Sequence, residues 1–96
     1  MSVYDEVLVE RARQDAKHGG PAHDDQHDPH DWIAIIAMHA GLGVLRDHDS
    51  VGAALDRFRK QMVIVAALAC AAIESTDRQV DRLTREWGTW KQEEEP

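Results

Sequence analysis

The chain has 96 residues, 43% of them apolar and 30% charged, with a formal net charge of −7. That length is one small domain, and the composition is that of a soluble globular protein. The negative balance argues against broad nucleic-acid binding, which needs a basic footprint, though a local basic patch remains compatible with it. The one cysteine, Cys70, rules out an internal disulfide and sits in an apolar run, where inert packing is the expected role. The opening "MSVYDEVLVERAR" is too acidic and polar for a signal peptide. The longest apolar run, residues 62–73, would rise about 18 Å as a helix, well short of a bilayer core of about 30 Å. A cytoplasmic protein with no membrane partner is expected.

In chain order, the first predicted helix covers about residues 3–17. Ser2 followed by Asp5 has the spacing of a capping box, and Tyr4, Val7, Leu8 and Ala12 recur at helical intervals. Gly19, Gly20 and Pro21 should stop it. A loop follows to about residue 28. Asp28 and Pro29 read as an N-cap with proline at the first helical position, backed by Asp31, so a second helix should run over about 29–46. Its apolar face is Trp32, Ile33, Ile36, Ala40 and Val44, and Gly41 and Gly43 suggest close approach of another backbone or a ligand. After the turn "RDHDS", Ser50 or Asp49 should cap a third helix over about 51–87.

In the third helix, Leu55, Phe58, Met62, Val65, Ala69 and Ala72 alternate spacings of three and four, and Val80, Leu83, Trp87 and Trp90 resume that rhythm. This is a bundle or coiled-coil seam. Between 62 and 73 every face is apolar, more than three such helices can bury alone. The expected fold is therefore an all-α, compact three-helix bundle over residues 1–90 that assembles with itself as a dimer or tetramer. Residues 91–96 should form a disordered acidic tail.

The chemistry concentrates in "HGGPAHDDQHDPHDW", residues 18–32. His23 and His27 are four apart, a spacing that brings imidazoles together on a helix, and Asp24, Asp25 and Asp28 add hard oxygens. The hard oxygens suit Mg²⁺ or Mn²⁺ and mixed His/Asp sets suit Mn, Fe or Zn, so a divalent metal (Mg, Mn or Zn) is the candidate cofactor. The competing reading is a solvated loop whose side chains cap helices and satisfy turns. His39 lies mid-helix among apolar residues, either as a core histidine with one hydrogen bond or as part of a bundle pocket. Glu6 and Glu10 share a face of the first helix, followed by Arg13 and Lys17. Arg57, Arg59 and Lys60 could meet phosphates or simply solvate the surface. Glu74–Arg78 and Asp81–Arg85 have the spacing of ion pairs that support a helix.

The stretches "ERARQDAKHGG", "DWIAIIAMHAGLGVL" and "FRKQMVIVAALACAAIESTDR" together resemble small phage and prophage proteins of the MazG-like type, all-α nucleoside triphosphate pyrophosphohydrolases. A subgroup of these carries an EHDDQH-like loop, matched here by "AHDDQH". The resemblance spans about residues 5–78. It implies paired carboxylates, EExxE on the second helix and ExxD on the third, that hold Mg²⁺ against a triphosphate. Those motifs fall here on Met38, His39 and Leu42, and on Gln61 and Ile64. Methionine, leucine and isoleucine cannot hold Mg²⁺, so only His39 and Gln61 remain as polar groups to meet a substrate.

Two expectations follow. In one, the ligands have moved: His23, Asp24, Asp25, His27 and Glu10 hold a divalent metal, Arg13, Lys17, His39 and Gln61 contact a nucleotide, and hydrolysis of a nucleoside phosphate becomes a candidate reaction. In the other, chemistry is lost and the scaffold is a non-catalytic phage or mobile-element protein that binds a host protein.

Overall fold

The computed structural model describes residues 1–43 and 50–88. The described residues are all-helical, as expected, with four helices: α1 (Val3–His18), α2 (Pro21–Asp24), α3 (Pro29–Gly41) and α4 (Val51–Trp87). None of them is long and apolar enough to cross a membrane. Val44, the turn around residues 46–49, Trp90 and the acidic tail fall outside the described residues.

Local sequence sets the helix starts. The Ser2 hydroxyl accepts from the Asp5 amide and the Asp5 carboxylate accepts from the Ser2 amide, which closes a capping box. Asp28 and Asp31 repeat the device ahead of α3, with Pro29 at the first helical position. Ser50 caps α4 through the Ala53 amide. α1 ends where Gly19 turns left-handed (φ 104°, ψ 12°) and its amide donates to the Asp15 carbonyl. Gly19→Ala should cost about 1 kcal/mol, because a Cβ disfavours that conformation. Chemical denaturation of the variant measures it.

Two boundaries differ from expectation. The stretch after Gly20 is not all loop: Pro21 opens the one-turn helix α2, since a proline that cannot continue one helix is well suited to begin another. The second long helix stops at Gly41 rather than near residue 46. There the Gly43 amide donates to the Ala40 carbonyl, tightening the last turn. Gly43 is buried, and a Cβ on it would come within 3.4 Å of the Gln61 Cβ, so α3 ends in close approach to α4. Gly41 has open space around it and plays no such part.

α4 is the spine, and α1, α2 and α3 all pack against it. Glu6 meets Arg59 and Arg11 meets Glu74, so α1 runs parallel to α4. Pro29 and Trp32 lie beside Ala72–Asp77 while Gly43 reaches Phe58 and Gln61, so α3 runs antiparallel. At about 1.5 Å per residue, α4 accounts for the 55 Å long axis.

The buried residues of α4 are Ala54, Ala67, Ala71 and Ser75. Small side chains at these positions let the neighbouring helices approach closely. The expected seam lies largely elsewhere on the helix: Leu55 and Phe58 are exposed, and Met62, Val65, Ala69, Ala72, Val80 and Leu83 are half-buried. The expected Glu74–Arg78 pair also gives way to longer-range partners. Glu74 binds Arg11 at 2.6 Å and Arg78 binds Asp25 at 2.7 Å, which tie α1 and the α2 turn to the spine. Asp81 and Arg85 are both exposed.

Candidate functional site

The last turn of α1 is followed at once by α2, because Gly19 and Gly20 both take positive φ and fold the chain back sharply. That reversal stacks the His18 ring on His23, with centroids 5.6 Å apart and planes 20° from parallel. Four residues further on, past the end of α2, His27 sits edge-on to His23 at 5.0 Å and edge-on to Trp32 at 4.9 Å. Four rings thus run as a continuous wall from the end of α1 to the first turn of α3.

The wall borders a cavity of about 250 Å³. Gln14, Asp15 and His18 of α1 close one side, His39 and Met38 of α3 another, and Leu68 and Ala71 of α4 the floor. His23, Asp24 and His27 reach it from the connection between α1 and α3. The sequence-predicted groups His23, Asp24, His27 and His39 therefore converge. Gln14, Asp15, His18 and Trp32 join them and were not anticipated as site residues. Helical spacing could have found the first three, since 14, 15 and 18 share one face at the end of α1.

The other expected site residues lie elsewhere. Asp25 turns away from the cavity: its carboxylate accepts from Arg78 Nε and Nη2, at 3.1 and 2.7 Å, and from the Ser75 hydroxyl at 2.8 Å. Glu10 accepts from Arg13 Nε and Nη2 at 2.8 and 2.6 Å, and from Gln14 Nε2 at 3.0 Å. Arg13 is thereby engaged on the surface, and Lys17 is exposed on the same helix. Gln61 is half-buried between α3 and α4, and its Oε1 has no hydrogen-bond partner.

The electrostatics separate the two neighbouring aspartates. Arg78, and then Ser75, hold the Asp25 carboxyl below the usual carboxylate range. Burial pushes Asp24 up, and the negative charge of Asp15 adds to the rise against the opposing pull of His23, Arg78 and His27. Half-buried Asp24 thus lies near the negative charge of exposed Asp15, and a cation beside Asp24 would relieve that repulsion. Glu10 is held low, first by Arg13 and in smaller part by Gln14 and His39.

Two of the residues that line the cavity, Trp32 and His39, each carry a buried polar atom without a hydrogen-bond partner, Nε1 and Nδ1 respectively. Trp32 is only 6% exposed, so its N–H is a desolvated donor to which a ligand acceptor would restore a bond. The donor set for a cation is narrower. The His23 and His27 rings meet edge-on, and His18 lies stacked flat on His23. Among the described residues no three His, Cys, Asp or Glu side chains are arranged around a common point. A cation held by His23, His27 or Asp24 as they stand would complete its shell with oxygens of water or of a bound ligand. Comparison with family models, characterised proteins and solved structures finds no match for this chain.

Proposed function

We propose that this chain handles a nucleotide in the imidazole-lined cavity, as a MazG-like all-α protein in which the metal-binding groups have moved from the second and third long helices to the connection after α1. Asp24, with His23 or His27, would take a divalent cation of the Mg, Mn or Zn class. The ligand's phosphate oxygens complete the cation's shell, and His39 and Trp32 donate to the ligand. Glu10 and Asp25, already bonded to Arg13 and Arg78, support the walls instead. Cleavage of a nucleoside phosphate is the candidate reaction, with the cation activating water.

The observation that carries this reading is the convergence of His23, Asp24, His27 and His39 on one cavity, two of whose lining residues carry an unpartnered N–H or ring nitrogen. The acidic Asp15–Asp24 pair supports the cation, since a bare polyphosphate would be repelled there. Calorimetric titration tests it. Mn²⁺, Mg²⁺ or Zn²⁺ should bind saturably, His27→Ala should weaken binding at least tenfold, and a panel of nucleotides should show phosphate release with the cation present. Neither binding nor turnover would favour the second reading, a non-catalytic phage-type protein engaging a host factor. Exposed Tyr4 and Leu8 on α1, on a chain of net charge −7, are the features that support that alternative. Self-association as a dimer or tetramer belongs to either reading, because the buried apolar side chains among the described residues are only Trp32 and three alanines.

A further inference from the structure

α1 and α3 lean on opposite flanks of α4, and the cavity lies between them on one side of the spine. The other side carries Leu55, Met62, Ala66, Ala69, Ile73 and Val80. Leu55, Met62 and Ala69 recur every seven residues, as do Ala66, Ile73 and Val80, so they form one line down the helix. Leu55 is 59% exposed and Ile73 60%. Near Ile73 the line widens into an open apolar groove against Ile33 and Ile36 of α3.

We infer that this outer face of α4 docks on the same face of a second copy, with the two α4 helices antiparallel. Ala66 and Ala69 lie at the middle of the line, where small side chains allow two helices to cross closely.

Charge fixes the direction. Arg59 and Asp77 are eighteen residues apart, about five turns, so they sit above one another on the same edge of the line. A two-fold axis at residue 68, perpendicular to the helix, places Arg59 of each copy opposite Asp77 of the other. It also leaves the same edges facing each other. A parallel pair would instead set Arg59 beside the opposite edge, where exposed Phe58 lies. Arg59 already binds Glu6 at 2.6 Å, and Asp77 would join that pair from across the interface. The axis also brings Leu55 of one copy toward Leu83 of the other.

The assembly does not depend on what the cavity binds, and its test is separate. Light scattering at about 10 μM should give twice the 10.8 kDa chain mass. In a Cys70→Ser background, Ala69→Cys beside the axis should cross-link into a covalent dimer under mild oxidation. Leu55→Cys, about 40 Å from its own copy in the antiparallel arrangement, should not. Cross-linking at both positions would mean a parallel pair and would overturn the direction. A monomer in light scattering, or cross-linking at neither position, would mean that another segment or another protein covers this face, and would overturn the proposal. Leu55→Glu with Ile73→Glu should yield a monomer of unchanged helical circular dichroism; a dimer that persists in that folded variant would place the interface elsewhere.

Discussion

Trp32→Ala should destabilise the chain by about 3 kcal/mol, the low end of the range for removing a buried aromatic. Trp32 is 6% exposed and is the largest apolar side chain among the buried described residues. It anchors the first turn of α3 against α4 and holds the His27 ring at 4.9 Å. The low end applies because the ring already borders a cavity, so fewer atoms surround it than in a filled core. A small domain has a total stability of about 5–15 kcal/mol, so the loss should show as a large shift of the urea midpoint. Trp32→Phe separates packing from hydrogen bonding. It keeps most of the apolar contact and removes a buried N–H that has no partner, and should cost under about 1.5 kcal/mol. A ligand that accepts from that N–H would bind the phenylalanine variant more weakly while the fold stays intact.

Arg78→Ala should cost about 1–2 kcal/mol. Its guanidinium donates through Nε and Nη2 to Asp25, and the fully buried Ser75 adds a third bond to the same carboxylate. Charge-assisted bonds of this kind contribute about 1.5–3 kcal/mol when sheltered. The two side chains are 37% and 30% exposed, so solvent screening lowers the figure. A double-mutant cycle with Asp25→Asn isolates the coupling. The pH dependence has a definite sign. The folded-state pKa of Asp25 is depressed, so its stabilisation is present above the unfolded carboxylate value of about 3.9 and is lost as pH falls through the folded value. Glu10 and Glu74, depressed by Arg13 and Arg11, act in the same direction. Asp24 acts in the opposite one. Its folded pKa is raised, so its contribution is present below about 3.9 and lost as pH rises through the folded value. Acid titration of the wild type should therefore show stability falling below about pH 4, and less steeply in Arg78→Ala.

Much of the scaffold was legible because helix ends are local events. Ser2 with Asp5, Asp28 with Pro29 and Asp31, and Ser50 each satisfy amides within three residues, and Gly19 ends α1 through a bond to Asp15. α2 was missed because Pro21 follows two glycines, and a stop signal and a start signal overlap there. The ion pairs were misassigned for a different reason. Glu74–Arg78 fits the helical rule, but Arg11 and Asp25 arrive from distant parts of the chain and offer better-sheltered partners. The rhythm of large apolar residues on α4 was easy to see, yet the buried edge is Ala54, Ala67, Ala71 and Ser75, side chains too small to dominate a hydrophobic pattern. At the cavity, the spacing of His23 and His27 was readable. Asp25 looked equivalent to Asp24 until its outward bond to Arg78 separated them, and His18 joins the wall only because Gly19 and Gly20 fold it back.

Trp32 also lines the groove on the far side of α3, so one indole is the partition between two chambers. A ligand among the imidazoles and a neighbour lodged beside Ile33 would both bear on that single ring.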